Sequence, residues 1–381
     1  MEDIKKAIEQ SGFLLENYVS MILKEHGWQI ITNRNYIDDV KGVEREIDIL
    51  AYKVFADEQE NIDYITTLII SCKKSDKYKW CFLTRDIDAN ACNINWTPLH
   101  YCTSDDRLKY MTENHSEIIT NRYKIHRAVR HLYNFDKMVF AYAQLAEPQN
   151  KNERKQKGNL YAASNEDIYN SISTTIKAIS NEKVSRMRAY GDARKKRYYT
   201  FHALSVFEGE MYDVHFDKEG VDEVTKIQSI QYINRHIVNN IDDFYIVNFI
   251  NREEFGYRLQ IFDFLHQENM RTLPKLLKGF YKNIFEYPER VKLIWDKFVL
   301  KMTIQVSMAL PHPYRPVSLS YDYGKVAKHL HIEVSSTQAD ISEADIEALN
   351  NNEKLRKKTQ EYLKKLFDFD GQFSFTEVLP F

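Results

Sequence analysis

Glycine and proline are scarce in this chain, with 11 and 8 among 381 residues. A chain so poor in both is neither a fibrous repeat nor a low-complexity linker, and it favours long helices over tight turns. No GxxxxGK[ST] or GxGxxG run occurs, which disfavours the folds that cradle phosphate on a glycine-rich loop. Cysteine is also sparse: Cys72, Cys81, Cys92 and Cys102, with no pair at CxxC spacing. A zinc site from Cys92, His100 and Cys102 can be drawn, but the irregular spacing reads better as ordinary reduced thiols. Neither sign of charge is in excess, the formal net charge being -2, so a polyanion would have to meet a local basic patch. No apolar run reaches the length of a membrane span, and the start Met-Glu-Asp-Ile-Lys-Lys lacks the basic and apolar segments of a signal peptide. The expectation is a cytoplasmic protein with no membrane partner.

What is present is a globular composition, 43% hydrophobic and 28% charged, with 25 Tyr lifting the aromatic fraction to 13%. That is enough chain for two or three domains, or one large domain with an elaboration. The most informative stretch runs from Gly42 to Lys74. In Glu44–Ala51 (EREIDILA) charged and apolar residues alternate from Glu46 onward, the period of a half-buried strand, which puts Glu46 and Asp48 on one face. Beyond a polar turn at 57–63, Ile65–Cys72 reads as a second strand, with Ser71 and Lys73 on one face and Cys72 on the other. Strands paired about 4.8 Å apart would bring Asp48 and Lys73 to one place despite their separation in sequence.

The chain before and after supplies the setting. A helix is predicted over Ile4–His26, ended by Gly27, and it carries Glu16 one turn after Gly12. A short strand follows at Trp28–Asn33, and another lies in Lys73–Arg85. From Ser104 the pattern turns helical, with apolar positions from Ile118 to Tyr133, a polar loop at 149–158 and a second helix over Glu166–Arg188. Strand patterns resume at Thr200–Phe216, Val221–Ile233 and Phe244–Ile250. The remainder reads as helices at Leu259–Phe264, Leu273–Phe285 and Val291–Met308, strands at Val317–Tyr323 and His329–Ser335, and a last helix over Ser342–Phe367 that opens on a cap. The fold class is therefore α/β (α+β): residues 1–258 form a core sheet interrupted by a helical insertion over about 104–199, and 259–381 form a C-terminal region of unassigned role.

A carboxylate on one strand, a lysine on its neighbour and a carboxylate on a preceding helix can hold a divalent cation and aim a water at a phosphodiester. Lysine also offsets the charge that grows on the phosphate. Singly, Asp48 and Lys73 have an ordinary alternative as a cross-strand salt bridge, Glu16 as an exposed helical carboxylate, and Glu46 as an exposed strand residue. The insertion is the most basic part of the chain. Lys124, Arg127, Arg186, Arg188, Arg194, Lys195, Lys196 and Arg197 could contact nucleic-acid phosphates, with Tyr190, Tyr198 and Tyr199 available for stacking. A solvated helix end is the ordinary reading of such a run.

Taken together, Glu16, REIDILA around Asp48, LIISCKKSDKYKWCFLTR around Lys73, and the later strands YYTFHALSVFEGEMYDVHF and DFYIVNFINREEF resemble the PD-(D/E)XK, or restriction-endonuclease-like, nuclease superfamily. The resemblance covers about residues 1–258. It implies a mixed sheet flanked by helices and Mg²⁺- or Mn²⁺-dependent cleavage of nucleic acid, DNA foremost, in the setting of restriction or anti-phage defence. By the same resemblance Asp48 is a metal ligand, Lys73 the catalytic lysine, Glu16 the helix carboxylate and the Cys72 carbonyl a further ligand. One position departs: Ser71 stands where the motif carries a carboxylate, and its neutral hydroxyl is a weaker ligand. Glu46 or Glu16 could replace that ligand. Otherwise the chain is a degenerate nuclease fold that serves as a nucleic-acid-binding or scaffold subunit, or an interaction subunit whose C-terminal region docks a protein partner.

Overall fold

The computed structural model describes residues 2–9, 11–38, 42–88, 90, 95–148, 159–188, 195–311, 317–337 and 340–378. Two compact units divide the chain: Met1–Asp105 with His115–Leu273, and Asp106–Asn114 with Pro274–Phe381. Among the described residues no helix is long and apolar enough to cross a membrane.

The first unit opens with α1 (Glu2–Glu9) and α2 (Phe13–Glu25), followed by β1 (Gln29–Ile37), β2 (Glu44–Asp57), β3 (Ile62–Lys74), β4 (Tyr78–Asp86) and β5 (Tyr101–Thr103). Helix α3 (Asp106–Ile125) passes between the units and is kinked at His115, whose φ of -141° is not helical. Then come β6 (Lys137–Ala146), β7 (Tyr161–Ala162), α4 (Glu166–Arg188), β8 (Lys196–Glu208), β9 (Met211–Phe216), β10 (Val221–Ile227), β11 (Ser229–Val238), β12 (Ile241–Asn251) and the long α5 (Phe255–Tyr281).

The main sheet has the order β1-β2-β3-β8-β12-β11, with β5 added against β8. Its first three strands are antiparallel, β8 and β12 run parallel to β3, and β11 turns back. Parallel neighbours require a crossover, and α4 supplies the last leg of the one from β3 to β8. Its Ile168, Ile172, Ile176 and Ile179 are buried with Ile69, Phe201 and Ala203 of the sheet, and Ser171 donates to Ser205 of β8 at 2.6 Å. On α5, Asn269 donates to Thr66 and Thr200 at 2.9 and 3.2 Å, and His266 lies 3.0 Å from the Thr66 hydroxyl. Covered in this way, β3 is buried from Tyr64 through Cys72, which explains its unbroken apolar run.

A second sheet, β10-β9-β4-β6-β7, stands beside the first. It corrects the expectation of a mostly helical insertion over about 104–199, since β6 pairs with β4 and β7 with β6 as strands of this sheet. The predicted N-terminal helix is two helices, parted around Ser11 and Gly12.

In the second unit, α6 (Pro288–Ala309), β13 (Val317–Gly324), β14 (His329–Ser336), α7 (Glu343–Asn351), α8 (Glu353–Phe367) and β15 (Gln372–Glu377) follow α5. The strands form the sheet β13-β14-β15. Ser342 and Asp345 make the expected capping box. The predicted last helix is interrupted where Asn352 caps α8 through a 3.0 Å bond to the Leu355 amide. The expected boundary at 258 falls instead at Leu273, because α5 continues as one helix through Pro274.

Candidate active site where β2 and β3 part

The ladder between β2 and β3 runs from Asp57 opposite Ile62 to Ile49 opposite Ile70 and ends there. Asp48 and Ser71 are the next residues on each side. On the other flank, β1 pairs Thr32 with Ile49 and Arg34 with Ile47, leaving Asn33 between them at φ 55°. The register is the same on both sides of Asn33. Along β2, Glu46 is exposed and Asp48 half-buried.

Past the end of the ladder the Cys72 amide needs an acceptor, and it donates a hydrogen bond to Asp48 Oδ2 at 2.6 Å. Burial pushes the Asp48 carboxyl above the usual carboxylate range, while the Lys73 ammonium, the Cys72 amide and the Ser71 hydroxyl pull it back only in part. Ser71 is fully buried, and its Oγ has no partner at normal hydrogen-bond geometry. The hydroxyl thus lies near enough to Asp48 to favour its ionised form without a well-formed bond. Glu16, on the first turn of α2, is raised by burial and by the charges of Asp48 and Glu46, against Lys73. A Cβ built on Gly12 would meet Glu16 Oε1 at 3.9 Å, an ordinary contact, so the space beside Glu16 does not depend on the glycine. The Cys72 thiol is pushed far up by burial, then by Asp48 and Glu16, and stays protonated.

These mutual influences place Glu16, Glu46, Asp48 and Lys73 around one locality. Three carboxylates lie against one ammonium there, and burial is the main cause that raises the Asp48 and Glu16 carboxyls. A divalent cation suits this charge, and hard oxygen donors suit Mg²⁺ or Mn²⁺. Among the described residues, however, no three His, Cys, Asp or Glu side chains already surround a single point closely enough to form a metal cage. The donors that fit are Asp48 with a backbone carbonyl, and Glu16 or Glu46 from a greater distance.

The basic run at Lys195, Lys196 and Arg197 is placed elsewhere. Lys196 and Arg197 pair with Ile62 and Asp63 at the start of β3, whereas Lys73 pairs with Phe207 at its end. About 33 Å of strand separates the two levels at roughly 3.3 Å per residue. Lys195 is bound to Asp63 and Glu58 at 3.0 Å each, Arg197 lies 3.9 Å from Asp63, and Arg186 pairs with Glu182 at 2.9 Å. Arg188 ends α4, on the same side as Arg186 along the chain, and Lys124 and Arg127 lie at the end of α3 and just beyond it. Arg194 and Tyr190 lie outside the described residues. Tyr198 and Tyr199 are buried in the core and cannot stack on a base.

Of the zinc alternative, Cys92 lies outside the described residues. His100 is buried and held neutral, its pKa lowered to about 3 by burial, and burial raises the Cys102 thiol to about 12. Cys72, Cys81 and Cys102 are free and buried.

Two features had no local sequence signal. Asp263 on α5 joins His26 Nδ1, Trp28 Nε1 and Lys53 Nζ at 2.6, 2.9 and 2.6 Å, and thereby ties α2, β1 and β2 to α5. The second is a row of charges at the carboxyl ends of the parallel strands, Lys74 on β3, Glu208 on β8 and Arg252 just after β12. Just past Lys74, a cleft of 710 Å³ begins at Ser75 and is lined by Lys77, Tyr78, Lys79, Tyr161 and Glu210 among others. Comparison with protein-family models, with curated proteins and with solved structures returns no match for this chain.

Proposed function

We propose that this chain is a metal-dependent endonuclease acting on nucleic acid, DNA foremost, in the cytoplasm, and that its core is restriction-endonuclease-like. The observation that carries the reading is the gathering of Glu16, Asp48 and Lys73 where β2 and β3 part. Further support comes from the main sheet: α2 leads into three antiparallel strands, and after β4 to β7 the helix α4 leads into β8, which lies parallel beside the third. In this reading Asp48, Glu16 and the Cys72 carbonyl hold Mg²⁺ or Mn²⁺. The ion would lower the pKa of a bound water and take up charge from the phosphate. Asp48 is fixed for this by the Cys72 amide, which donates to one of its oxygens. The Lys73 ammonium favours the ionised state of both carboxylates and supplies positive charge where a phosphate would gain negative charge.

A second reading, a degenerate nuclease fold serving as a binding subunit, is favoured by Ser71 and by the lack, among the described residues, of any three His, Cys, Asp or Glu side chains grouped to hold a metal. Supercoiled plasmid and single-stranded DNA incubated with Mg²⁺ or Mn²⁺ separate the two. Cleavage by the native protein that Asp48→Ala and Lys73→Ala each reduce by about a hundredfold or more is expected. Equal cleavage by all three proteins, or none by the native one, would overturn the catalytic reading.

A further inference from the structure

The strand that ends in Lys73 carries a second cation at Lys74, and the register places it opposite Glu208 of β8. The next parallel strand ends at Asn251, opposite Phe207, so Arg252 comes level with Glu208 from the other side. Glu208 lies between them: Lys74 Nζ is 3.4 Å from its Oε1, and Arg252 Nε is 3.7 Å from its Oε2. Both distances are long for charge-assisted bonds, which settle nearer 2.8 Å. The two cations therefore do not hold the carboxylate tightly. The row is open to solvent, with side-chain exposures of 16% for Lys74, 25% for Glu208 and 44% for Arg252. The Arg252 guanidinium stays in place without Glu208, because its Cζ lies 4.7 Å over the ring of Tyr18, on the same helix as Glu16. The backbone beneath is fixed too: the Ser75 amide donates to the Glu208 carbonyl at 3.0 Å, and Asn251 Nδ2 to the Gly209 carbonyl at 2.7 Å.

Two cations on a braced backbone, with a loosely held carboxylate between them, have the form of an anion site occupied by an internal anion. We propose that Lys74 and Arg252 form a second phosphate subsite at the same end of β3 as Lys73, on the other face of the strand, which takes a phosphodiester of the bound nucleic acid other than the one to be cut, and that Glu208 fills it until a nucleic-acid strand displaces it. This rests on the nucleic-acid reading above and names the part of the backbone that the site grips. It also supplies, at the correct end of β3, the phosphate contacts that the insertion's basic run is too far away to make.

The test is binding without cleavage. Anisotropy of a labelled mixed-sequence DNA duplex is measured in EDTA over a range of salt, for the native protein, Glu208→Gln, Arg252→Ala and, as a control for lost charge elsewhere, Lys301→Ala on α6. Glu208→Gln is expected to tighten binding by roughly twofold to fivefold, the worth of one competing solvent-facing ion pair. Arg252→Ala should weaken it and lower the slope of log K against log salt by about 1, and Lys301→Ala should change neither. The subsite is overturned if Glu208→Gln leaves affinity unchanged, if Arg252→Ala leaves the slope unchanged, or if no duplex binds at low salt. Cleavage is scored separately in Mg²⁺. The expected binding changes without any cleavage sink the nuclease reading and keep the subsite, whereas cleavage with equal slopes sinks the subsite alone.

Discussion

Replacing Asp48 by asparagine removes the charge that burial disfavours and keeps an oxygen to accept the Cys72 amide. Asp48 and Glu16 both have folded-state pKa values above those of the unfolded chain. The stability they contribute is fully present below the unfolded carboxylate pKa, about 4, and is lost as pH rises through the folded values. The contribution of these two groups to the metal-free protein should therefore fall as pH rises above about 4, the reverse of what a salt-bridged carboxylate contributes. In EDTA at neutral pH, Asp48→Asn is expected to be at least as stable as the native chain, with a flatter pH dependence. Divalent metal inverts the order. A ligand at a hundred times its dissociation constant stabilises by about 2.7 kcal/mol, and at roughly 2–4 °C per kcal/mol for a unit of this size the native Tm should rise by about 5–10 °C. Asp48→Asn should show little of that rise. Thermal melts of both proteins in EDTA, MgCl₂ and MnCl₂ across pH 5–8 measure each part. An equal metal-induced rise in both proteins, or a variant less stable than native in EDTA, would refute this account of the site.

Ser71→Glu would place a carboxylate at a fully buried position beside Asp48. Without metal it should destabilise by about 3 kcal/mol or more, read as a lower urea midpoint, and Mn²⁺ should recover part of the loss. A variant as stable as native in EDTA would show that the strand ends are more open than their burial indicates. Asp263→Asn weakens the junction with His26, Trp28 and Lys53. A cost of about 2–3 kcal/mol in urea denaturation is expected, the scale of charged hydrogen bonds, and a cost below about 0.5 kcal/mol would mean that the junction adds little to α5 packing.

The centre of the fold was legible because it is written in short-range patterns. Alternation gave β2, a buried β-branched run gave β3, and the spacing between them brought Asp48 near Lys73. The second sheet was not legible, because β4 finds its partners β6 and β9 only across long separations in sequence, and two of its strands lie in a segment whose flanks are helical. Asn33 escaped notice for a related reason: a left-handed residue inside a strand is set by its neighbours across the sheet. The basic run from Lys195 to Arg197 was visible as charge, but the sequence could not show that Asp63 and Glu58 lie opposite it. Register decided that, and register also moved the run to the far end of β3. The row of Lys74, Glu208 and Arg252 depends on three strands ending at one level, which only the assembled sheet reveals.

The short piece Asp106–Asn114 belongs with a unit whose other residues begin at Pro274. Its Leu108 and Met111 are buried, Tyr110 packs edge-on to Phe280, and a Cβ on Gly279 would sit 3.6 Å from Met111. During synthesis this helical turn leaves the ribosome long before its partners exist, and at about 5–20 residues per second its apolar side chains wait for several seconds or more. A gene truncated at the end of the core would make that wait permanent. Fragments ending near residue 258 should therefore aggregate, whereas cuts that leave both pieces of the second unit together should stay in solution.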